Sequence, residues 1–156
     1  MTTTLGDLIA PAGVMFDLHA ANKRGVLLAL SSRAAALGGQ DAGYVAEVIF
    51  AREALGSTGF GAGTAIPHGR LETLPRIVAV IAKLATPVDY AALDGLPVDL
   101  VVMMLAPAGA GAGHLKALAR VSRALRDRDL CDKLRGCASA DALYALVAAD
   151  AQSQAA

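Results

Sequence analysis

Two continuous runs of apolar residues constrain the fold of this chain more than any other feature. They cover Ile77–Leu84 and Val98–Leu105, and Pro or Gly residues bound them. A strand that is apolar along its whole length must be covered on both faces, as in a sheet packed between helices. The runs therefore predict two buried strands at the centre of a layered α/β domain.

Helical patterns flank these strands on both sides in the sequence. The predicted helices cover residues 22–37, 41–55, 114–126 and 129–134, followed by a last helix that Ser139 caps. In the helix that opens near His114, we expect Leu115, Leu118, Ser122 and Leu125 to share one face. The segment Pro87–Tyr90 is interpreted as a short edge strand. The short gap between the two apolar runs favours a mixed sheet over a parallel one, so the predicted fold is a mixed β-sheet sandwiched by helices.

The length of the chain predicts a single domain, and its composition limits the partners and the location that we expect. The 156 residues contain no internal repeat or linker, so we expect a domain over 5–149 and a flexible tail over 150–156. Lysines and arginines total 14, as do the acidic residues, and this balance argues against nucleic-acid binding. No apolar run approaches the roughly 20 residues that span a bilayer. Because the first ten residues do not resemble a signal peptide, we expect a cytoplasmic protein without membrane insertion.

Cys131 and Cys137 are the two cysteines of the chain, and both fall in a region with helical patterns. We interpret them as free thiols, since their spacing suggests neither a disulfide nor a zinc site. No metal ligand set and no cofactor are predicted. The motifs of P-loops, dinucleotide-binding turns, metalloproteases and serine hydrolases are absent from the sequence.

His68 is the first candidate for chemistry, because Pro67 and Gly69 flank it. Proline fixes its own φ angle and glycine adds no bulk, so the imidazole is held in a defined and uncrowded position. A neutral imidazole keeps one nitrogen unprotonated near neutral pH and can attack a phosphoryl group without a metal. A histidine of this kind, taken alone, is more often an ordinary surface residue of a turn.

Arg52 and His114 are candidates for holding an anion. Arg52 follows Val45, Val48 and Ile49 on the apolar stripe of its helix, where a cation needs an anionic neighbour or a route to solvent. His114 follows a glycine-rich loop and opens a helix, whose free N–H groups favour an anion. The alternatives are an internal ion pair for Arg52 and an ordinary helix-start residue for His114.

Ser57 and Thr58 follow the Arg52 helix, and their hydroxyl groups are further candidate donors to the same anion. Hydroxyl residues at helix ends are more often simple turn formers. His19 lies in a segment without a partner pattern and receives no role.

The run from Ala51 to Arg70, AREALGSTGFGAGTAIPHGR, resembles the signature of the fructose/mannitol-type enzyme IIA domains of the bacterial phosphotransferase system. Within that family it looks closest to the nitrogen-regulatory group. The resemblance continues through Pro97–Leu100, His114–Leu115 and Leu143–Tyr144, and so covers nearly the whole chain. Two departures are visible: Ala62 stands where relatives often have Asn, and Arg70 replaces a frequent Lys.

The resemblance implies that His68 is phosphorylated, that His114 and Arg52 line its site, and that Ser57 and Thr58 are neighbours. It further implies a phosphoryl-transfer component that works through a phosphohistidine, served by a small carrier protein of the HPr type. Phe60 and Gly61 of the glycine-rich loop are expected to dock that partner. Regulatory targets in related systems include potassium-transport proteins and sensor kinases.

Three functions remain open at this point. A regulatory phosphocarrier would signal through its phosphorylation state, and the stand-alone layout favours this function. A sugar-specific enzyme IIA would instead pass the phosphoryl group to the EIIB domain of a transporter. A third possibility is an interaction module that keeps the fold without being phosphorylated, although the joint presence of His68, Arg52 and His114 argues against it.

Overall fold

The computed structural model describes the backbone of residues 4–155 and the side chains of residues 4–149. The helices are α1 Leu5–Leu8, α2 Lys23–Gly38, α3 Ala42–Leu55, α4 Ala112–Arg126, α5 Arg128–Gly136 and α6 Ala140–Ala155. The strands are β1 Val14–Leu18, β2 Gly59–Gly61, β3 Thr64–Ala65, β4 His68–Leu71, β5 Val78–Val88 and β6 Val98–Pro107. A 3₁₀ turn at Pro11–Gly13 leads into β1.

The six strands form one mixed sheet in the order β1-β5-β6-β3-β2, with β4 also paired to β6. β5 and β6 are antiparallel, as are β2 and β3, whereas β1 runs parallel to β5 and both β3 and β4 run parallel to β6. The prediction of a mixed sheet is therefore confirmed. The two apolar runs of the sequence form β5 and β6, the longest strands.

Helices cover both faces of the sheet, and alternate residues of the central strands enter two separate cores. Val80 of β5 and Met103 of β6 pack with the apolar faces of α2 and α3. Ile81 and Val102, their neighbours in sequence, pack with α4, α5 and α6. Because side chains of a strand alternate between faces, two-sided burial explains why these strands are apolar throughout.

Short polar side chains fix where the helices begin, as the sequence predicted for Ser139. Asn22, Asp41 and Asp127 accept hydrogen bonds from backbone N–H groups in the first turns of α2, α3 and α5. Ser139 does the same for α6 through the N–H of Ala142. These caps satisfy donors that have no partner inside the helix, so they set its first residue.

The structure corrects three features of the sequence prediction. The edge strand expected at Pro87–Tyr90 is wrong, because β5 itself continues through a bulge to Val88, which pairs with Val98. β1 was not predicted. The inner face of α4 is rotated from the expected one: Leu115 is 62% exposed, whereas His114 and Ala117 are buried.

The predicted boundary at residue 149 falls inside α6, whose helical backbone continues to Ala155. Ala156 lies outside the described residues, so the flexible tail stays a prediction. Within the described part of the chain, no helix combines the length and the apolar character needed to cross a membrane.

Candidate functional site

A cavity of about 420 Å³ opens between α3, β4 and the first turn of α4. β4 contributes His68, Gly69 and Arg70, and α4 contributes His114. The lining from α3 consists of Val48, Ala51, Arg52 and Leu55. The structure thus brings together His68, Arg52 and His114, which lie far apart in the sequence.

Gly69 determines how closely α3 can approach β4. A Cβ atom built at Gly69 would lie 2.7 Å from Cγ1 of Val48, closer than side chains normally approach each other. Any larger residue at this position would therefore force α3 away from the strand. Arg52 lies one turn beyond Val48 on α3, so the same close packing carries its guanidinium to the His68 cavity.

A backbone hydrogen bond sets the tautomer of His68. Its Nδ1 lies 2.8 Å from the carbonyl oxygen of Ile66. A carbonyl oxygen only accepts hydrogen bonds, so Nδ1 carries the proton and donates it. In the neutral ring, Nε2 then holds the free lone pair. The ring is half-buried. The backbone hydrogen bond determines that Nε2 is the ring nitrogen available to react.

His114 is buried beside His68, with ring centroids 6.0 Å apart and planes tilted by 45°. Its side chain is 4% exposed, and its Nδ1 has no hydrogen-bond partner among the described residues. Burial lowers its pKa below the ordinary value of 6.5, and the positive charge of Arg70 and the neighbouring His68 lower it further. His114 is therefore neutral at neutral pH and carries one N–H donor. Buried polar atoms without partners are rare, and one explanation for them is a role in catalysis.

Two guanidinium groups line the same cavity. Arg52, in the last turn of α3, donates from Nη1 to the carbonyl oxygen of Gly56 at 3.0 Å, which anchors one edge of its fork. Arg70 is exposed and acts on His114 through its charge. Two permanent cations and one neutral N–H donor beside an unprotonated imidazole nitrogen form an arrangement suited to a phosphate-sized anion.

Arg70 is the lining residue that sequence reasoning did not assign to the site. Residues two apart on a strand point to the same side, and Arg70 is two residues from His68. This alternation places Arg70 beside His68 once residues 68–71 are known to form a strand.

Ser57 and Thr58 do not line the His68 cavity. Thr58 is buried, and its hydroxyl contacts both the carboxylate of Glu53 and the hydroxyl of Tyr90. Ser57 donates to the carbonyl oxygen of Tyr90 at 3.4 Å and accepts from the N–H of Gly59. Their assignment as neighbours of a phosphoryl group remains a prediction, and their observed contacts belong to a different cluster.

That cluster centres on the buried carboxylate of Glu53. Lys23 lies 2.8 Å from it, and the N–H of Thr58 and the hydroxyl of Tyr90 also donate to it. Burial opposes ionisation of Glu53, but the hydrogen bonds from Lys23 and Thr58 outweigh it and lower the pKa. This network joins the start of α2 to the end of α3, and so fixes the turn that holds Arg52.

Phe60 and Gly61, predicted to dock a partner, line a separate groove with α4 and α5 rather than the His68 cavity. Gly61 pairs with Thr64, which pairs with Leu100 of β6, whereas His68 pairs with Met104 of β6. Leu100 and Met104 are four residues apart, so the groove and the His68 cavity are separated by roughly 13 Å along β6. Their docking role stays a prediction.

No three His, Cys, Asp or Glu side chains cluster as metal ligands would in the part of the chain that the structure describes. Cys131 and Cys137 are free thiols there, and burial raises the pKa of the Cys131 thiol. Its Sγ donates to the carbonyl oxygen of Leu125.

Comparison with known families decides the identity of this fold. The sequence model described as "Phosphoenolpyruvate-dependent sugar phosphotransferase system, EIIA 2" matches residues 7–149. The chain belongs to this EIIA family. Over 142 residues it is 48% identical to the nitrogen regulatory protein of Bradyrhizobium diazoefficiens, covering 91% of this EIIA chain and 93% of that protein.

Further relatives agree with this assignment. The EIIA chain is 40% identical over 132 residues to the nitrogen regulatory protein of Escherichia coli, covering 83% of this chain and 80% of that protein. The crystal structure of the nitrogen regulatory protein IIA-Ntr from Neisseria meningitidis superposes with a TM-score of 0.86 at 28% identity, covering 92% of this chain and 98% of that one. IIA mannitol from Escherichia coli shares the fold, with a TM-score of 0.74 at 21% identity over 89% of this chain and 98% of that one. The resemblance inferred from residues 51–70 is confirmed, and the EIIA chain is similar to nitrogen-regulatory members of the phosphotransferase system.

Proposed function

We propose that this EIIA protein accepts a phosphoryl group on Nε2 of His68 from a histidine-phosphorylated carrier of the HPr type. The observation that carries the proposal is the hydrogen bond from His68 Nδ1 to the Ile66 carbonyl oxygen, which leaves Nε2 as the free lone pair inside a cavity lined by guanidinium groups. Nucleophilic attack needs such a lone pair, and no other group in the cavity has to remove a proton first.

The transfer exchanges one phosphorus–nitrogen bond for another. Nε2 of His68 forms a bond to phosphorus, while the bond from phosphorus to the carrier's imidazole nitrogen breaks and its electron pair returns to that nitrogen. Because both bonds join phosphorus to a histidine nitrogen, their free energies are similar and the reaction is reversible. Catalysis then depends on in-line placement and on stabilising charge on the transferred oxygens.

The EIIA cavity supplies that stabilisation. Arg52 and Arg70 place two positive charges around a group that carries about two negative charges when bound. The neutral ring of His114 adds an N–H donor without adding a further positive charge to the cavity.

The carrier must reach the cavity over its exposed rim, and Leu55 forms an apolar part of that rim. Leu55 lines the cavity and is 85% exposed. Exposed aliphatic side chains beside a reactive group are typical of protein docking surfaces. The rim is therefore our proposed contact for the carrier, and the predicted docking at Phe60 and Gly61 is its alternative.

Phosphorylation is tested by incubating the purified EIIA protein with enzyme I, the carrier and radiolabelled phosphoenolpyruvate. We expect label on the wild-type protein and none on His68→Ala. His19→Ala is the matched control, because His19 is highly exposed, lies outside the cavity and should leave labelling unchanged. An unlabelled wild-type protein, or a His68→Ala variant labelled as strongly as wild type, rejects the proposal.

The output of the site is proposed to be regulatory. Similarity to the nitrogen regulatory proteins supports this output over transfer to a transporter EIIB domain. Phosphorylation neutralises the positive charge of the cavity, so its two states offer different surfaces to a target such as a potassium-transport protein or a sensor kinase. Retention of such targets should differ between immobilised His68→Ala and His68→Asp. Equal retention by both variants, together with rapid transfer of the phosphoryl group to an EIIB domain, would instead support the sugar-transport alternative.

A further inference from the structure

A second cavity, of about 440 Å³, lies between the β2–β3 turn, the end of α4 and the outer face of α5. Its volume falls within the range of about 300–1,000 Å³ that is usual for small-molecule sites. None of its lining residues belongs to the His68 cavity. The proposed phosphoryl transfer therefore leaves this second cavity unexplained.

The lining of this groove combines an apolar floor with positive charge. Phe60 and Leu125 provide the apolar surface, and Arg126, Arg128 and Arg135 provide three guanidinium groups. Asp132 is the one carboxylate in the lining among residues 4–149. The guanidinium carbon of Arg126 lies 5.8 Å from the centroid of the Phe60 ring, so charge and ring face the same space. Arg126 and Arg128 are both exposed, which leaves their donors available to a ligand.

One wall of the groove is held rigid. Arg135 is fixed by Asp99, whose carboxylate accepts from its Nε at 3.0 Å, and its Nη2 donates to the carbonyl oxygen of Ala62 at 2.7 Å. On the opposite side of the turn, Asp94 accepts from the N–H of Ala62 at 2.9 Å. The turn is therefore held through both the N–H and the carbonyl oxygen of Ala62. Ala62 keeps its position there although its φ of 55° is unfavourable. Gly63 permits this arrangement, because a Cβ there would lie 2.6 Å from Nη2 of Arg135.

We propose that this groove binds a small phosphomonoester that carries a flat apolar body. Guanidinium forks bind phosphate oxygens in pairs, and Arg126 and Arg128 are the two lining guanidinium groups that Asp99 does not already hold. The Phe60 ring and the planar guanidinium of Arg126 over it offer flat surfaces on which a planar group can stack. A phosphate without such a body would use the arginines alone, and a neutral ring would use Phe60 alone, so the groove favours a ligand that has both parts.

Three probes separate these contributions: AMP, ribose 5-phosphate and adenosine. Amide chemical shifts of the ¹⁵N-labelled protein are followed during titration at physiological ionic strength. We expect AMP to shift the signals of residues 60–62, 125–128 and 135, ribose 5-phosphate to shift them more weakly, and adenosine to shift them least. The double variant Arg126→Gln/Arg128→Gln should weaken AMP binding by about tenfold or more, since each lost charged hydrogen bond costs about that factor.

The matched control is Lys116→Gln/Arg123→Gln, which removes the same charge from exposed positions of α4 outside the groove. It should leave the affinity for AMP unchanged. The proposal is overturned if AMP causes no shifts at millimolar concentration, if the control weakens binding as much as the groove variant, or if shifts appear around His68 and His114 instead. His68→Ala should bind AMP normally, so this test is independent of the phosphoryl-transfer proposal.

Discussion

His114 combines burial, a neighbouring imidazole and a nearby arginine, and each of these disfavours its protonation. A neutral second histidine is useful beside a phosphoryl acceptor, because it donates a hydrogen bond while leaving the charge balance to the arginines. The same neutral state ties the stability of the protein to pH. A group whose pKa is lower in the folded state binds fewer protons there than in the unfolded chain.

We expect the stability of the protein to fall as the pH is lowered from 6.5 toward the folded-state pKa of His114, which lies below that value. Above 6.5 the ring is neutral in both states and the contribution is complete. Chemical denaturation of wild type and His114→Gln between pH 7.5 and 5, a range taken around the ordinary histidine pKa of about 6.5, checks this directly. The variant should show a flatter profile. Glu53, whose pKa is also lowered, loses its contribution only in a more acidic window below 4.5. Parallel profiles for wild type and variant would contradict the expectation.

Ala62 has a φ of 55° between Gly61 and Gly63, which have φ of 124° and 79°. Left-handed backbone is unfavourable for alanine by about 1–2 kcal/mol and is better tolerated by asparagine. We therefore expect Ala62→Asn to raise the free energy of unfolding by about 0.5–1 kcal/mol. Ala119→Asn, at an exposed position within α4, is the control and should lower it by roughly 0.5 kcal/mol. Equal signs for the two variants in thermal denaturation would refute the argument.

At the scale of elements, the contact between α3 and β4 decides whether Arg52 reaches His68. Gly69→Ala would place a Cβ atom 2.7 Å from Val48 Cγ1, and the helix would have to shift outward. Overpacking of this kind costs about 1–3 kcal/mol. We expect lower stability and slower phosphorylation of His68, because the guanidinium moves with the helix.

Gly109→Ala provides the comparison for this experiment, since nothing lies within 4 Å of a Cβ at Gly109. That variant should phosphorylate at the wild-type rate. If Gly69→Ala also does so, the close packing of α3 on β4 is not what positions Arg52.

The sequence predicts elements best where one physical signal dominates. β5 and β6 follow from their unbroken apolar runs, and α2 and α3 follow from apolar spacing with capping Asn22 and Asp41. β1 escapes prediction because it has only five residues and a bulge with a positive φ at Asp17. The inner face of α4 was misassigned because Ala117, Val121 and Ala124 share the buried side with Leu125, whereas Leu115 is exposed. The spacing of the leucines alone therefore did not define the buried side.

At the scale of the whole molecule, the sequence pointed to His68, His114 and Arg52 as one site, and the structure places all three around one cavity. Arg70 was not predicted to line the site, because its position beside His68 follows only once β4 is known to be a strand. The separation of Phe60 from this cavity was likewise not predictable, since it depends on how β2 and β3 fold back along β6. Local sequence patterns predict which residues can react, but the register of the sheet determines which other residues lie beside them on the surface.

That register leads to a test of where the carrier docks. We expect Leu55→Ser to raise the KM for the phosphorylated carrier several-fold, because it removes apolar surface from the rim of the His68 cavity, with little effect on kcat. Phosphorylation by the small donor phosphoramidate should be unchanged, since that molecule needs no docking surface. Leu93→Ser is the matched control: Leu93 is 77% exposed but lies outside the cavity, so the variant should behave as wild type. A normal KM for Leu55→Ser combined with a raised KM for Phe60→Ala would move the docking surface to the β2–β3 side of the molecule.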